Sequence, residues 1–274
     1  MTAGILYIIA TPIGNLQDIT FRAVETLKAV DLVLCEDTRK SKILLDHYQI
    51  KTKCASYHDH STPKDRIRIL SFLQSGKNLA LISDGGTPLI SDPGFKLVRD
   101  CIEQGITITP IPGASSVISG LSVAGIPTDN FLFLGFLPTK NKDRLAKYAL
   151  IKQSMVTSVI LEAPSKLLAT LAEILEQLGD VNCTLAKELT KLHETITYQL
   201  ISKHIEALHG NKIRGEYVII LEAVEKQEIT DEVLAEELKE LLTKLSVKSA
   251  SEFLAQKYGT SKKHVYSLSL KNKQ

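Results

Sequence analysis

The sequence predicts an α/β protein built on a parallel sheet covered on both faces, and three observations carry that prediction. Between residues 4 and 112, short β-branched apolar runs alternate with stretches of helical period. Those runs are continuously apolar rather than alternating, as strands buried on both faces must be. Glycine and proline gather where the runs end: nine of the 15 glycines lie between Gly76 and Gly135, and six of the nine prolines between Pro88 and Pro138. Tight loops at the strand ends of an open parallel sheet are where such folds place ligands.

In order, residues 5–10 read as a strand, 20–30 as a helix, 32–35 as a strand and 40–47 as a helix. A strand at 53–57, a helix at 64–75 closed by Gly76, a strand at 79–83, a helix at 95–104 closed by Gly105 and a strand at 107–111 complete the first half. The run Gly120-Leu-Ser-Val-Ala-Gly-Ile-Pro127 reads as a domain boundary. Beyond it, strands are expected at 131–136, 157–161, 182–187 and 217–222, with an amphipathic helix at 166–178 ending at Gly179. Tyr198 and the segment after it suggest another short strand. This second half reads as α/β or α+β.

The tail from Glu228 changes character. It is Leu-rich and helical, acidic at first (Asp231, Glu232, Glu236, Glu237, Glu240), and from Thr243 onward carries seven lysines against Glu252 alone. Ala250, Phe253, Leu254 and Tyr258 are helically spaced, Gly259 breaks the period, and 261–270 starts again with Lys262-Lys263-His264. Helix, glycine turn and basic helix is a helix-turn-helix pattern. A solvated cationic helix pair is the plainer alternative. The expected domains are 1–122, 123–226 and 227–274.

Composition narrows the function. With 44% hydrophobic and 23% charged residues the chain is not disordered, and 33 basic against 31 acidic residues leaves a net charge of +2. Nucleic-acid binding would therefore need a local patch. The four scattered cysteines lack C-x-x-C spacing, which argues against a zinc ribbon or disulfide scaffold and for a reducing, cytoplasmic setting. No apolar run approaches the ~18 residues of a membrane span. Residues 1–10 carry no basic leader and read as a buried strand, not a signal peptide.

Three polar loops follow first-half strands. Ala10-Thr-Pro-Ile-Gly-Asn-Leu-Gln-Asp18 holds one glycine, too few for a dinucleotide fingerprint, and Ser75-Gly-Lys-Asn78 is not a P-loop. Glu36-Asp-Thr-Arg-Lys-Ser41 reads as a helix cap (Asp37 or Thr38), as a substrate-facing cluster, or as both. Ser83-Asp-Gly-Gly-Thr-Pro-Leu-Ile-Ser-Asp-Pro-Gly94, with Pro110-Ile-Pro-Gly-Ala-Ser-Ser116, offers bare main chain at Gly85, Gly86 and Gly113, the Asp84 carboxylate and the Ser115 and Ser116 hydroxyls. That set suits a nucleoside-like ligand. Gly113-Ala-Ser-Ser-Val117 is not a nucleophile elbow. His58-Asp-His60 has a spacing that could bind a metal, but H-x-H on a surface loop is a weak signal, and His193-Glu194 lacks the partner His of H-E-x-x-H, so no metal is expected.

These blocks, in order, resemble one family. Leu6-Tyr-Ile-Ile-Ala-Thr-Pro-Ile-Gly-Asn-Leu16, Glu36-Asp-Thr-Arg39, Ser83-Asp-Gly-Gly-Thr-Pro88, Ser91-Asp-Pro-Gly94 and Pro112-Gly-Ala-Ser115 are similar to signature segments of the tetrapyrrole-methylase-type methyltransferases. Phe133-Leu-Gly-Phe-Leu-Pro138, Ala186-Lys-Glu-Leu-Thr-Lys191 and Gly215-Glu-Tyr-Val218 extend the likeness over roughly residues 4–222. The likeness is to the branch that methylates a cytidine ribose 2′-oxygen in small-subunit (16S) ribosomal RNA. Glu162-Ala-Pro-Ser-Lys166 departs from the Pro-His-Arg usual there, keeping a charge but losing the planar guanidinium fork.

The resemblance implies a two-domain class III methyltransferase fold with a helical extension, and S-adenosylmethionine in a cleft. It implies cofactor contacts at Ala10, Asp84, Gly85, Gly86, Thr87, Ser115 and Ser116 from the first half, and at Leu161, Ala163, Ala186, Glu216 and Tyr217 from the second. A homodimer, a substrate near the decoding centre, and either free RNA or the assembled subunit as substrate are also implied. In-line methyl transfer needs positioning and help in removing a hydroxyl proton. Lys187 is the expected base or alkoxide stabiliser, with Glu188, Lys191, Asp37 and Arg39 as further candidates on the rim. Lys248, Lys257, Lys262 and Lys263 are expected to contact RNA phosphates. A small-molecule tetrapyrrole methyltransferase and an inactive RNA-binding assembly factor are the alternatives.

Overall fold

In the computed structural model, which describes residues 2–224, 231–243, 245–258 and 260–271, the first five strands are Ile5–Ile9 (β1), Leu32–Cys35 (β2), Cys54–Ser56 (β3), Leu79–Leu81 (β4) and Thr107–Ile111 (β5). They pair in the order β3-β2-β4-β1-β5, every pair parallel. Phe21–Ala29 (α1) and Thr38–His47 (α2) lie against one face, where Ala23, Leu27 and Leu45 pack with Ile9, Val33, Ala80 and Ile82. Pro63–Gln74 (α3) and Phe95–Glu103 (α4) cover the other, where Ile69, Leu73, Leu97 and Cys101 meet Leu6, Leu34, Leu79 and Leu81. Successive residues of the inner strands β1, β2 and β4 alternate between two apolar cores, whereas the edge strands β3 and β5 admit Ser56, Thr107 and Thr109.

Caps set the helix starts. Thr20 accepts from the Ala23 amide, and Thr62 with Asp65 forms a reciprocal capping box behind Pro63. Asp37 caps α2 by accepting from the Arg39 amide, so that helix begins two residues before the position its apolar period suggested.

The second sheet comprises Phe131–Phe136 (β6), Thr157–Glu162 (β7), Asn182–Lys187 (β8), Thr195–Leu200 (β9) and Tyr217–Leu221 (β10), ordered β6-β7-β10-β8-β9. Only β6 and β7 run parallel; the other pairs are antiparallel. Asn141–Ser154 (α6), Leu167–Leu178 (α7) and Ile201–Leu208 (α8) cover one face through Tyr148, Ile151, Leu171, Ile174 and Ile201. The opposite face receives Ser116–Ser122 (α5), whose Val117 and Leu121 pack on Val159, Val218 and Ile220. A side chain at Gly120 would stand 3.1 Å from Ile220 Cδ1, so the glycine allows close docking. Residues 1–224 form one compact unit.

Three helices depart from the sequence expectation. Helix α5 occupies part of the Gly/Ser-rich segment read as a boundary; its small residues serve packing. Helix α6 hides its amphipathic character because Arg144 sits with Tyr148 and Ile151 on its buried side. The strand expected from Tyr198 onward lies earlier, at Thr195–Leu200, and the segment after it is α8, whose start is held by Asp180 bonding the Ser202 amide and hydroxyl.

Residues 225–274 form a second unit. Asp231–Leu241 (α9), Val247–Tyr258 (α10) and Lys262–Lys271 (α11) enclose Leu234, Leu238, Ala250, Leu254, Val265 and Leu268. The α10–α11 pair is the expected helix-turn-helix, with Phe253 half exposed rather than in its core. Gly259 and the Lys257 side chain lie outside the described residues. Among the described residues no helix is long and apolar enough to cross a membrane.

Candidate active-site cavity

A cavity of about 710 Å³ opens in the first unit, lined from the first half by the loops that follow β1 and β4 and from the second by the ends of β7, β8 and β10. Thr11–Gly14, Ser83–Gly85 and Ser116 come from the first half; Leu161–Pro164, Ala186, Lys191 and Glu216–Val218 come from the second. The C-terminal ends of β1 and β4 converge here as parallel topology requires, and from the second sheet the C-terminal ends of β7 and β8 meet the start of antiparallel β10. The volume is that of a small-molecule site, and its apolar walls are interrupted by charged and hydroxyl groups.

The loops are locked to one another. Thr11 and Gly86 exchange both backbone hydrogen bonds, at 2.9 and 2.8 Å, and the Thr11 hydroxyl donates to the Ser83 carbonyl. A Cβ on Gly113 would meet Ala10 Cβ at 3.1 Å, and one on Gly85 the Pro12 carbonyl at 3.2 Å. The glycines expected to bare main chain to a ligand therefore serve first to let the β1, β4 and β5 loops touch. This corrects the reading for Gly86, whose N–H and C=O are taken by Thr11, while Gly85 does line the cavity.

Gly14 supplies the contact between halves. Its missing side chain leaves room for Lys191, whose Cγ would lie 2.4 Å from a Cβ there, and the Asn15 amide donates to Thr190 Oγ1 at 3.1 Å. Lys191 Nζ bridges Glu188 (2.9 Å) and Glu216 (2.8 Å). Burial disfavours its charge, but the two carboxylates outweigh burial and raise its pKa, while Lys191 in turn lowers that of Glu188. Glu188 and Thr190 adopt left-handed backbone, with φ of 51° and 66°. Such strain in non-glycine residues concentrates at functional loops.

The 83–94 loop is strained in the same way, Leu89 at φ 74° and Ser91 at φ 66°. Ser91 Oγ occupies the space a side chain at Gly135 would need, 2.8 Å from its Cβ position, and Gly135 itself has φ 63°. Gly135→Ala should cost about 1–3 kcal/mol in thermal or urea unfolding. Gly105→Ala, also left-handed but facing open space, should cost only the backbone part, ~1 kcal/mol.

Of the residues picked out in the sequence, Asp84, Gly85, Ser116, Leu161, Ala163, Ala186, Glu216, Tyr217 and Lys191 line this one cavity. Ala10, Gly86, Thr87 and Ser115 stand behind the lining: Ala10 is buried, Thr87 donates to the Ala114 carbonyl and Ser115 caps α5. Asp37 and Arg39 are likewise off the lining. The Arg39 guanidinium folds back on Asp37, holding its carboxyl down to about 2. Lys187 does not reach the cavity lining either. It shares strand parity with Cys183 and Leu185, which face α7, whereas Ala186 faces the cavity side. Glu188 stands one step back from the lining, paired with Lys191.

Sequence reasoning quoted the segments that hold Lys40, Ser41, Asp92 and Glu162 but singled out none of these four as a site residue. Lys40 Nζ pairs with Asp84 at 2.7 Å, and Asp84 also accepts from the Asp37 amide. Ser41 is buried, and its hydroxyl has the Cys35 thiol as a polar neighbour. Glu162 accepts from the Thr170 hydroxyl at 2.6 Å and the Ala163 amide at 2.8 Å. The available signal for Asp92 was the doubled Ser-Asp within one loop, Ser83-Asp84 and Ser91-Asp92.

Residues 5–204 match the family model described as Tetrapyrrole (Corrin/Porphyrin) Methylases. The chain belongs to the tetrapyrrole methylase family. The relatives of this tetrapyrrole methylase include ribosomal RNA small subunit methyltransferase I of Haemophilus influenzae, 44% identical over 273 residues, covering 97% of this chain and 96% of the relative. Among solved structures, a diphthine synthase superposes with a TM-score of 0.64 at 11% identity, covering 80% of this chain and 90% of that one. Uroporphyrin-III C-methyltransferase of Thermus thermophilus, solved in complex with S-adenosyl homocysteine, gives 0.56 at 18% identity, covering 81% and 98%. The two-sheet α/β architecture of the first unit is that of these methylases.

Proposed function

We propose that the chain is an S-adenosylmethionine-dependent methyltransferase of small-subunit ribosomal RNA, acting in the cytoplasm on a cytidine ribose 2′-oxygen near the decoding centre. The 44% identity over nearly the full length of ribosomal RNA small subunit methyltransferase I supports the ribosomal RNA reading, and the motif resemblance adds the cytidine ribose 2′-oxygen. The cavity supports it. Its volume suits the cofactor, its Leu161, Ala186 and Val218 wall suits a nucleoside, and the Ser41 and Ser116 hydroxyls on the lining can meet polar ligand groups.

When bound, S-adenosylmethionine supplies an electrophilic methyl group on a sulfonium. Gly85, Ser116, Leu161, Ala163, Ala186, Glu216 and Tyr217 would hold it, and the locked 10–14, 83–86 and 110–116 loops fix their positions beforehand. That preorganisation is the main contribution the protein makes to an in-line displacement. Lys191, kept cationic by Glu188 and Glu216, is suited to stabilising an oxyanion and not to taking a proton. Lys40 is held similarly by Asp84, which raises its pKa. The catalytic role expected of Lys187 accordingly falls to Lys191.

Mapping ribose methylation on small-subunit RNA from cells with and without the gene tests the function; an unchanged map would overturn it. In purified protein, Lys191→Ala should lower kcat about 10²-fold with donor affinity retained, whereas Lys187→Ala should leave turnover near wild type.

A further inference from the structure

We propose that Asp92 is the catalytic proton acceptor, taking the proton of the hydroxyl that is methylated, and that the Ser41 hydroxyl binds the acceptor nucleoside beside it. This rests on the methyltransferase reading above and adds to it the two groups that would engage the acceptor.

Four carboxylates line the cavity: Asp84, Asp92, Glu162 and Glu216. Three are held by partners. Asp84 holds Lys40 and the Asp37 amide, Glu216 holds Lys191, and Glu162 accepts from Thr170 and Ala163. Asp92 forms no ion pair among the described residues. Its polar neighbour is the Ser83 hydroxyl, which also lies 3.3 Å from the Gly86 carbonyl. The other charges that act on it are the carboxylates of Glu36 after β2, Asp84 after β4 and Asp59 after β3; the nearby Lys40 is taken by Asp84. Burial first, then these like charges, push the Asp92 carboxyl up to about 6. A carboxylate so placed is more basic than usual yet ionised at neutral pH, which is what a general base requires.

Two further observations point to a ligand at this part of the wall. Ser41 is only 5% exposed and lines the same cavity, where its hydroxyl has the Cys35 thiol as a polar neighbour and can turn to a polar ligand group when the cavity fills. Leu89 and Ser91, just before Asp92, are held in left-handed backbone. That strain is accepted in the segment that delivers Asp92 to the wall.

The step balances. The hydroxyl O–H bond breaks and its proton passes to an Asp92 carboxylate oxygen. The oxygen pair forms the bond to the methyl carbon, and the carbon–sulfur bond breaks with its pair left on sulfur. Asp92 then releases the proton to water.

The test compares wild type with Asp92→Asn, which keeps shape and removes both basicity and like-charge repulsion, and with Asp92→Glu. Wild-type protein must first methylate small-subunit RNA; failure there overturns the function itself, whatever the Asp92 variants do. With an active wild type, Asn is expected to lower kcat about 10²- to 10⁴-fold, with donor affinity and RNA KM within about threefold, and to abolish the acid limb of the kcat profile near pH 6. Glu should restore part of the rate and the limb. In the donor-free protein, carboxyl ¹³C NMR should show one aspartate titrating near pH 6 that is missing in Asn. An Asn variant with near wild-type kcat and an intact acid limb would overturn the proposal, as would a spectrum in which that titration persists. Ser41→Ala should raise the RNA KM about tenfold at unchanged donor affinity; an unchanged KM would remove Ser41 from the site.

Discussion

Arg144→Ala should destabilise the first unit by about 3 kcal/mol, the lower end of the ~3–5 kcal/mol for breaking a buried charge pair. The side chain is 10% exposed and its guanidinium serves four partners: Glu173, the Tyr148 and Thr170 hydroxyls and the Pro138 carbonyl. Glu173 is 38% exposed and recovers water when Arg144 is lost, which keeps the cost from rising further. Tyr148 and Thr170 do not recover it, because both are buried. Arg144→Lys keeps charge but cannot span four acceptors, so it should recover less than half the loss. Urea unfolding at neutral pH measures both. The network also reaches the cavity: Thr170, which accepts from Arg144, donates to Glu162, and Glu162 fixes the Ala163 amide. Folded Arg144→Ala protein should therefore bind S-adenosylmethionine several-fold more weakly, read by calorimetry.

The second large effect concerns RNA. Lys248 and Lys263 are exposed on the helical second unit, whereas Lys262 is partly neutralised by Glu252. Changing Lys248 and Lys263 together to glutamine should weaken binding to small-subunit RNA about tenfold near 0.1 M salt. It should also flatten the log–log salt slope by about 0.7–0.9 for each phosphate no longer neutralised. Ending the chain after residue 227 should weaken binding more, by about 10²-fold, with donor affinity unchanged, since the cavity lies wholly within residues 1–224. Lys262→Gln alone should have a smaller effect than Lys263→Gln. Full RNA affinity in the shortened chain would exclude a binding role for the tail.

Much of the fold was legible because it rests on local signals. The strands β1, β2, β5, β6 and β8 and helices α3, α4 and α7 stand within a residue or two of their apolar runs and stop signals. Helices α5, α6 and α8 were not, each for its own reason: glycine and serine that look like loop, an arginine on the buried stripe, and a start set by Asp180 from a neighbouring turn. For the site, the loops at strand ends were visible as glycine and proline punctuation, and Asp84, Ala186 and Glu216 do converge on one cavity. Lys187 stands off the cavity lining because strand parity decides which face a terminal lysine takes, and parity is known only once register is.

Taken alone, the amino-acid order determined the parallel α/β character, the loop segments that carry chemistry, the family and the basic helix-turn-helix. These follow from periodicity, composition and motif, all properties of neighbours in the chain. Only the tertiary structure decided that Asp92 stands in the cavity wall without an ion pair among the described residues, that Gly14, Gly85 and Gly113 let loops touch, and that Ser41 lines the same cavity. Those facts depend on distances between residues far apart in sequence, such as Gly14 and Lys191 or Lys40 and Asp84, and no local pattern encodes such distances.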